Sequence, residues 1–127
     1  MPEQEGKPRL LIVSESSAMH VEALNWSRTL GFDSVIFAVH ENALAVAAAG
    51  SFTHIIVSDY SEDPGRTQFR KGYETWRRLK ERFAGNTAGN MRLIRCGFDE
   101  YAHEDYVRLP FRIWQLAAAF GININAR

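Results

Sequence analysis

The feature that most constrains this chain is a short run, Phe52-Thr53-His54-Ile55-Ile56-Val57, that turns abruptly into Ser58-Asp59-Tyr60-Ser61-Glu62-Asp63-Pro64-Gly65. The run is apolar and β-branched with no helical spacing, so it reads as a strand buried on both faces that stops where acidic and turn residues begin. Burial on both faces is the condition of a parallel strand covered by helices. In an open sheet of that kind the carboxyl ends of the strands form the crevice where ligands bind. Asp59 is therefore the first candidate for chemistry. Taken alone, it reads more readily as a solvated loop aspartate that starts a turn.

Alternation continues on either side. Residues 9–13 predict a strand and 18–30 a helix, with Val21, Leu24 and Leu30 as its apolar positions beside Ala23 and Trp26, and Gly31 as its stop. A strand over 33–39 and an alanine-rich helix over 41–49, closed by Gly50, come before the central run. After it, 72–83 predicts a helix whose buried face is Tyr73, Trp76, Leu79 and Phe83. Residues 85–90 read as a loop by composition, and 91–96 and 106–109 as strands. The last helix is expected over 111–120, with Pro110 tolerated at its first turn. Strands alternating with helices imply right-handed crossovers, hence an α/β fold built on a doubly wound, five-stranded parallel sheet.

With 127 residues, the chain can bury one core and is too short for two. The expected organisation is a flexible N-terminal tail over 1–8, one domain over 9–121, and a C-terminal tail or the start of a linker over 122–127. No apolar run is long enough to span a bilayer, and the polar, acidic N-terminus does not resemble a signal peptide. A single cysteine, Cys96, excludes an internal disulfide and a multi-cysteine metal site. A cytoplasmic, non-membrane protein is the expectation.

Net charge is zero, but residues 1–64 hold nine acidic and three basic side chains and residues 65–127 six and twelve. The basic excess gathers around 66–82, as a solvated helix face or a surface for an acidic partner. No nucleic-acid-binding motif accompanies it, so nucleic acid is not an expected partner. His20, His40, His54 and His103 show no metal-ligand spacing, and His54 inside an apolar run reads as a satisfied sheet histidine. There is no nucleophile-elbow sequence and no glycine-rich phosphate loop.

Three pieces, in order, carry a family resemblance. Ile55-Ile56-Val57-Ser58-Asp59-Tyr60 with Pro64 beyond resembles the phosphoacceptor strand of response-regulator receiver domains, the fold of the chemotaxis regulator. The segment from Gly72 to Lys80 resembles the start of that family's third helix, and Asp105-Tyr106-Val107-Arg108-Leu109-Pro110-Phe111 follows its Asp-Tyr-Leu-x-Lys-Pro-Phe. The likeness covers about 9–121 and implies the flavodoxin-like sheet. It also implies a phosphoacceptor at Asp59, weak Mg²⁺ binding by Glu15, Asp59 and the Ser61 carbonyl with Asp63 nearby, and a switch aromatic at Tyr106.

The departures bear on function. Where receivers carry two acids after the first strand, to supply hard oxygen ligands to Mg²⁺, this chain has Ser14-Glu15. The lysine before the proline of the fifth strand is Leu109, which can neither donate a hydrogen bond nor carry charge. Arg108 is adjacent, but neighbouring strand residues face opposite ways, so it substitutes only if the strand bulges. Cys96 or Gly97 stands in the region of the family's switch hydroxyl, with Cys96 also readable as an inert buried residue. Residues 98–104 leave room for only a loop or a single turn, so the family's fourth helix is expected to be shortened or absent.

An atypical, non-enzymatic receiver acting through protein contacts is the expectation, its phosphorylation impaired or lost. The resemblance implies a histidine kinase or an output domain as partner, and a homodimer through a face including Phe111 and Trp114. Two alternatives stay open: a phosphorylatable receiver using Glu15, Asp59 and Mg²⁺, and a small flavodoxin-like enzyme or nucleotide-binding protein.

Overall fold

In the computed structural model, strand β1, Arg9–Val13, is followed by helix α1, Ser17–Leu30, and β2, Ser34–Ala38. A 3₁₀ turn at His40–Asn42 leads into α2, Ala43–Ala49, and then β3, His54–Ser58. Helix α3, Phe69–Leu79, continues into a π turn at Lys80–Ala84, and β4, Arg92–Gly97, β5, Tyr106–Arg108, and α4, Ile113–Phe120, complete the order. The structure describes residues 8–15, 17–58, 69–84, 91–97, 106–108 and 113–122. The tails expected before Pro8 and past Ile122, and the segment 98–105, lie outside them.

The five strands are parallel and ordered β2-β1-β3-β4-β5. This is the flavodoxin-like order, in which the chain steps outward in opposite directions from β1 and β3. Strand alternation divides the core in two. Leu10, Ile12, Ile56, Ile94 and Cys96 point to one face and pack with Met19, Ala23, Trp26 and Leu30 of α1 and Leu116, Ala117 and Phe120 of α4. Leu11, Val13, Ile55 and Val57 point to the other, against Ala43 and Ala47 of α2 and Leu79 of α3. The alanines of α2 let its backbone approach the sheet closely, so that short helix needs no large side chains.

Two expectations about helix faces are corrected. On α1, Val21 is 64% and Leu24 52% exposed; the buried positions are Met19, Ala23, Trp26, Ser27 and Leu30. Helical spacing permits either stripe, and the one carrying the larger Trp26 meets the sheet. On α3, Tyr73 is 43% exposed, while Leu79 and Thr75 are buried and Trp76 and Phe83 partly so. Tyr73 lies against a cation instead of the apolar core, as described below.

Both helices on the first face end in the same motif. Gly31 has φ of 90°, its N–H donates to the Arg28 carbonyl, and the Phe32 N–H donates to that of Ser27. Gly121, φ 77°, repeats this with bonds to Ala118 from its own N–H and to Ala117 from Ile122. A left-handed glycine is what lets the chain fold back over the last carbonyls, and Phe32 and Ile122 then close onto the core.

Candidate functional site

The carboxyl edge of the sheet is built from residues that follow one another in register. Val13 is level with Val57, Ser58 with Cys96, Cys96 with Val107, and Gly97 with Arg108. Ser14 follows Val13, and its N–H donates to the Ala38 carbonyl at 3.0 Å, carrying the ladder one step past β1. Ser14, Ser58 and Cys96 are fully buried, so the last row before the edge is small, neutral and dry. Asp59, the next residue after Ser58, lies outside the described residues, as do Ser61, Asp63, Leu109 and Phe111. For Tyr106 and Trp114 the structure gives a place on β5 and on α4.

This geometry bears on the expected substitutions. Cys96 is a buried free thiol level with Ser58, and Gly97 is the residue one step further on. Strands β4 and β5 pair one for one through Arg95–Tyr106, Cys96–Val107 and Gly97–Arg108, with no bulge among these described pairs.

Glu15 is exposed at the mouth of the edge. Behind it, His20 of α1 places Nε2 3.2 Å from the Ser14 carbonyl and its ring 4.5 Å from that of Phe37, tying the helix to the two strands that lead into the site. Ser14, fully buried and uncharged, stands beside the exposed Glu15 at this edge. Among the described residues no group of three or more His, Cys, Asp or Glu side chains could hold a metal ion.

On the second face, two polar features interrupt the core. His40, buried just past β2, has Nδ1 3.0 Å from the Thr75 hydroxyl of α3. Above this pair a crevice of about 170 Å³ is lined by Glu41, Leu44, Glu74 and Arg78. The other feature is Arg95, only 7% exposed in mid-strand, whose Cζ lies 5.2 Å from the Tyr73 ring centre and 5.9 Å from that of Trp76. Lys80 Nζ sits 4.7 Å from the Trp76 ring. Sequence reasoning passed over both features. Their signals were a charge inside the otherwise apolar Leu93-Ile94-Arg95-Cys96 and a histidine at a strand's end.

His54 occupies the opposite, amino edge. Its ring stands edge-on to Phe32 and Phe120, both at 4.9 Å. The Thr53 hydroxyl donates to the Arg9 carbonyl and lies 2.7 Å from His54 Nδ1, which makes Nδ1 the protonated nitrogen of the neutral ring. Burial, and secondly the charge of Arg92, push the imidazole down to about 4. As expected from the sequence, His54 is a satisfied sheet histidine.

The receiver domain of an HD domain-containing protein from Pseudomonas fluorescens Pf-5 superposes on this chain with a TM-score of 0.68 at 16% identity, over 91% of this chain and 85% of that one. The fold is that of a response-regulator receiver domain. Chemotaxis protein CheY4 of Vibrio cholerae has the same receiver fold, at a TM-score of 0.63 and 16% identity over 91% of this chain and 98% of its own. A structure of the histidine kinase ThkA in complex with the response regulator TrrA matches with a TM-score of 0.65 and 18% identity, over 87% and 93% of the two chains. No family model matches this sequence, and the comparison with curated proteins gives no match. Within the receiver fold, the edge that holds Ser14, Glu15, Ser58 and Gly97 is the carboxyl edge of the strands, where the fold places its ligands.

Proposed function

We propose that this chain is an atypical receiver-type signalling domain that works through protein contacts, with phosphorylation at Asp59 impaired or lost. One observation carries the reading: position 109, where the resemblance puts a receiver's lysine, is leucine, and the described β4–β5 pairs, which keep Arg108 level with Gly97, support no replacement of it by Arg108. Phosphoryl transfer is catalysed almost entirely by placing charge around the reacting oxygens. Ser14 and Leu109 each remove a charge from that set. Glu15 and Asp59 with Mg²⁺ remain the minimal alternative, and the experiment is arranged to favour it. Incubation with acetyl phosphate and Mg²⁺, followed by intact-mass measurement, should add little or no phosphoryl group. A stoichiometric adduct that disappears in Asp59→Asn would sink the proposal.

The fold supports a protein partner. The response regulator of the ThkA–TrrA structure meets a histidine kinase, and a kinase or output domain is the kind of protein this domain is proposed to contact. A second copy is proposed to dock on the face containing Phe111 and Trp114. On α4 the core side is Leu116, Ala117 and Phe120, while Gln115 and Ala118 are exposed, and position 114 lies one turn before Ala118. Sedimentation of the wild type at high concentration should show a dimer that Trp114→Ala weakens. A wild-type monomer, or a dimer indifferent to the substitution, refutes this contact. Among the described residues no helix is long and apolar enough to cross a membrane.

A further inference from the structure

Strand β2 forms one edge of the sheet and β5 the other. An edge strand offers backbone groups to another chain, and proteins blunt such edges with charges, prolines or short strands. β5 is blunted: it has three residues and ends in Arg108. β2 is not, since Ser34-Val35-Ile36-Phe37-Ala38 holds neither charge nor proline. Its outward groups follow from the ladder. The Ala38 carbonyl accepts from Ser14, on the β1 side. Strand residues alternate, so Ser34, Ile36 and Ala38 bond to β1 while Val35 and Phe37 turn their N–H and C=O groups away from it.

Apolar surface gathers along this edge. Of the four large hydrophobic side chains exposed among the described residues, Val21, Leu24 and Ile36 lie here, and Tyr73 is the exception. The ring contact of His20 with Phe37 puts one flank of α1 over β2, and Leu24 is one turn further along that flank. Because α1 runs antiparallel to β2, the residues just after His20 are level with Ile36. α1 packs with Leu10 and Ile12 of β1 and with Val35 and Phe37 of β2, so its axis stands over the gap between the two strands. A β2 strand added by a second copy would place that copy's α1 two strand spacings away, about 10 Å, which is the distance at which helices pack.

Charge selects the direction of pairing. At the carboxyl end of this edge Glu15 and Glu41 are exposed; at the amino end exposed Arg28 and partly exposed Arg9 outnumber Asp33. Antiparallel pairing sets the acidic end of each copy against the basic end of the other, whereas parallel pairing sets like against like.

We propose that β2 is a self-association edge: two copies pair antiparallel about Ile36, joining their sheets and packing Val21 and Leu24 of the two α1 helices against each other. The contact is separate from the α4 face proposed above. Two two-fold contacts on one domain do not close, so together they extend a dimer into longer assemblies at higher concentration.

The test uses the full chain carrying Trp114→Ala, which takes the α4 contact out of the readout. In the proposed register Ile36 faces its own copy as a non-hydrogen-bonded pair, with Cα atoms about 4.5 Å apart and within disulfide reach. Cys96 is buried, so Ile36→Cys should give a covalent dimer with oxidised glutathione. Thr29→Cys, exposed on the opposite side of α1 from His20, should stay monomeric. Sedimentation should show a dimer whose dissociation constant rises about tenfold or more in Ile36→Lys, which sets a like charge on itself across the two-fold. Amide exchange at Val35 and Phe37 should be fast in dilute protein and slow down on concentration. A monomer at every concentration, or equal cross-linking at the two cysteines, overturns the proposal. Protection of the Val35 and Phe37 amides already in dilute protein does so too, because the chain then covers its own edge. Should Trp114→Ala fail to fold, the cross-linking and exchange measurements are read with Trp114 in place, and the same outcomes decide.

Discussion

Replacing Ile56 with alanine should destabilise the domain by about 3–4 kcal/mol and lower its melting temperature by on the order of 10 °C. Ile56 is fully buried in the central strand and is level with Ile12 on one side and Ile94 on the other, three isoleucines in a row beneath α1 and α4. Neighbours held by strand pairing on both sides cannot collapse into the space left behind, so the cavity term adds to the lost burial. Val21→Ala is the matched control. An exposed aliphatic on α1 contributes little, and alanine is the better helix former, so the change should stay within about 0.5 kcal/mol. Urea unfolding followed by circular dichroism measures both. A loss below about 1 kcal/mol at Ile56, or a larger loss at Val21 than at Ile56, would contradict the assignment of core and surface.

Acid should weaken the fold through His54 before the carboxylates titrate. The ring is neutral in the folded domain down to about 4, against 6.5 for an ordinary histidine, because it is partly buried between Phe32 and Phe120 and faces the charge of Arg92. Between those two values the unfolded chain binds a proton that the folded chain does not. Stability from this group is therefore complete above pH 6.5 and is lost as pH falls toward 4. The shift corresponds to about 3 kcal/mol at face value, and solvent screening of a half-buried ring reduces this to roughly 1–2 kcal/mol. His54→Phe keeps an aromatic between the two phenylalanines and removes the titration. Its unfolding free energy should fall less than that of the wild type between pH 7.5 and pH 4.5, and equal losses would exclude His54 as the cause.

These effects show how unevenly the structure could be read from the residues. Arg9–Val13 and His54–Ser58 were legible because β-branched runs bounded by turn residues admit few other conformations. Gly31 was legible as a helix stop because a left-handed residue is needed to close the last turn of α1, and glycine adopts it without strain. The doubly wound parallel sheet also followed, since repeated β-α crossovers of one hand leave few arrangements, whereas its order, β2-β1-β3-β4-β5, came from the strand pairing. At the site, Ser14, Gly97 and Leu109 could be recognised as departures by comparison with the receiver pattern. That Gly97 is level with Arg108, with no bulge between β4 and β5, required the pairing itself.

The sequence alone determined the alternation of elements, the doubly wound parallel sheet and the identity of the residues at its carboxyl edge, because these depend on local periodicity and on chain connectivity. Only the tertiary structure decided which stripe of α1 is buried, since Val21 and Leu24 are as apolar as the residues that displaced them and the choice belongs to the sheet they meet. It alone brought Tyr73 and Trp76 to Arg95 and Thr75 to His40. Such pairs join residues far apart along the chain, and no local pattern encodes them. A buried charge tolerated beside two rings is a property of the assembled core, where the partners that offset its desolvation come from another element.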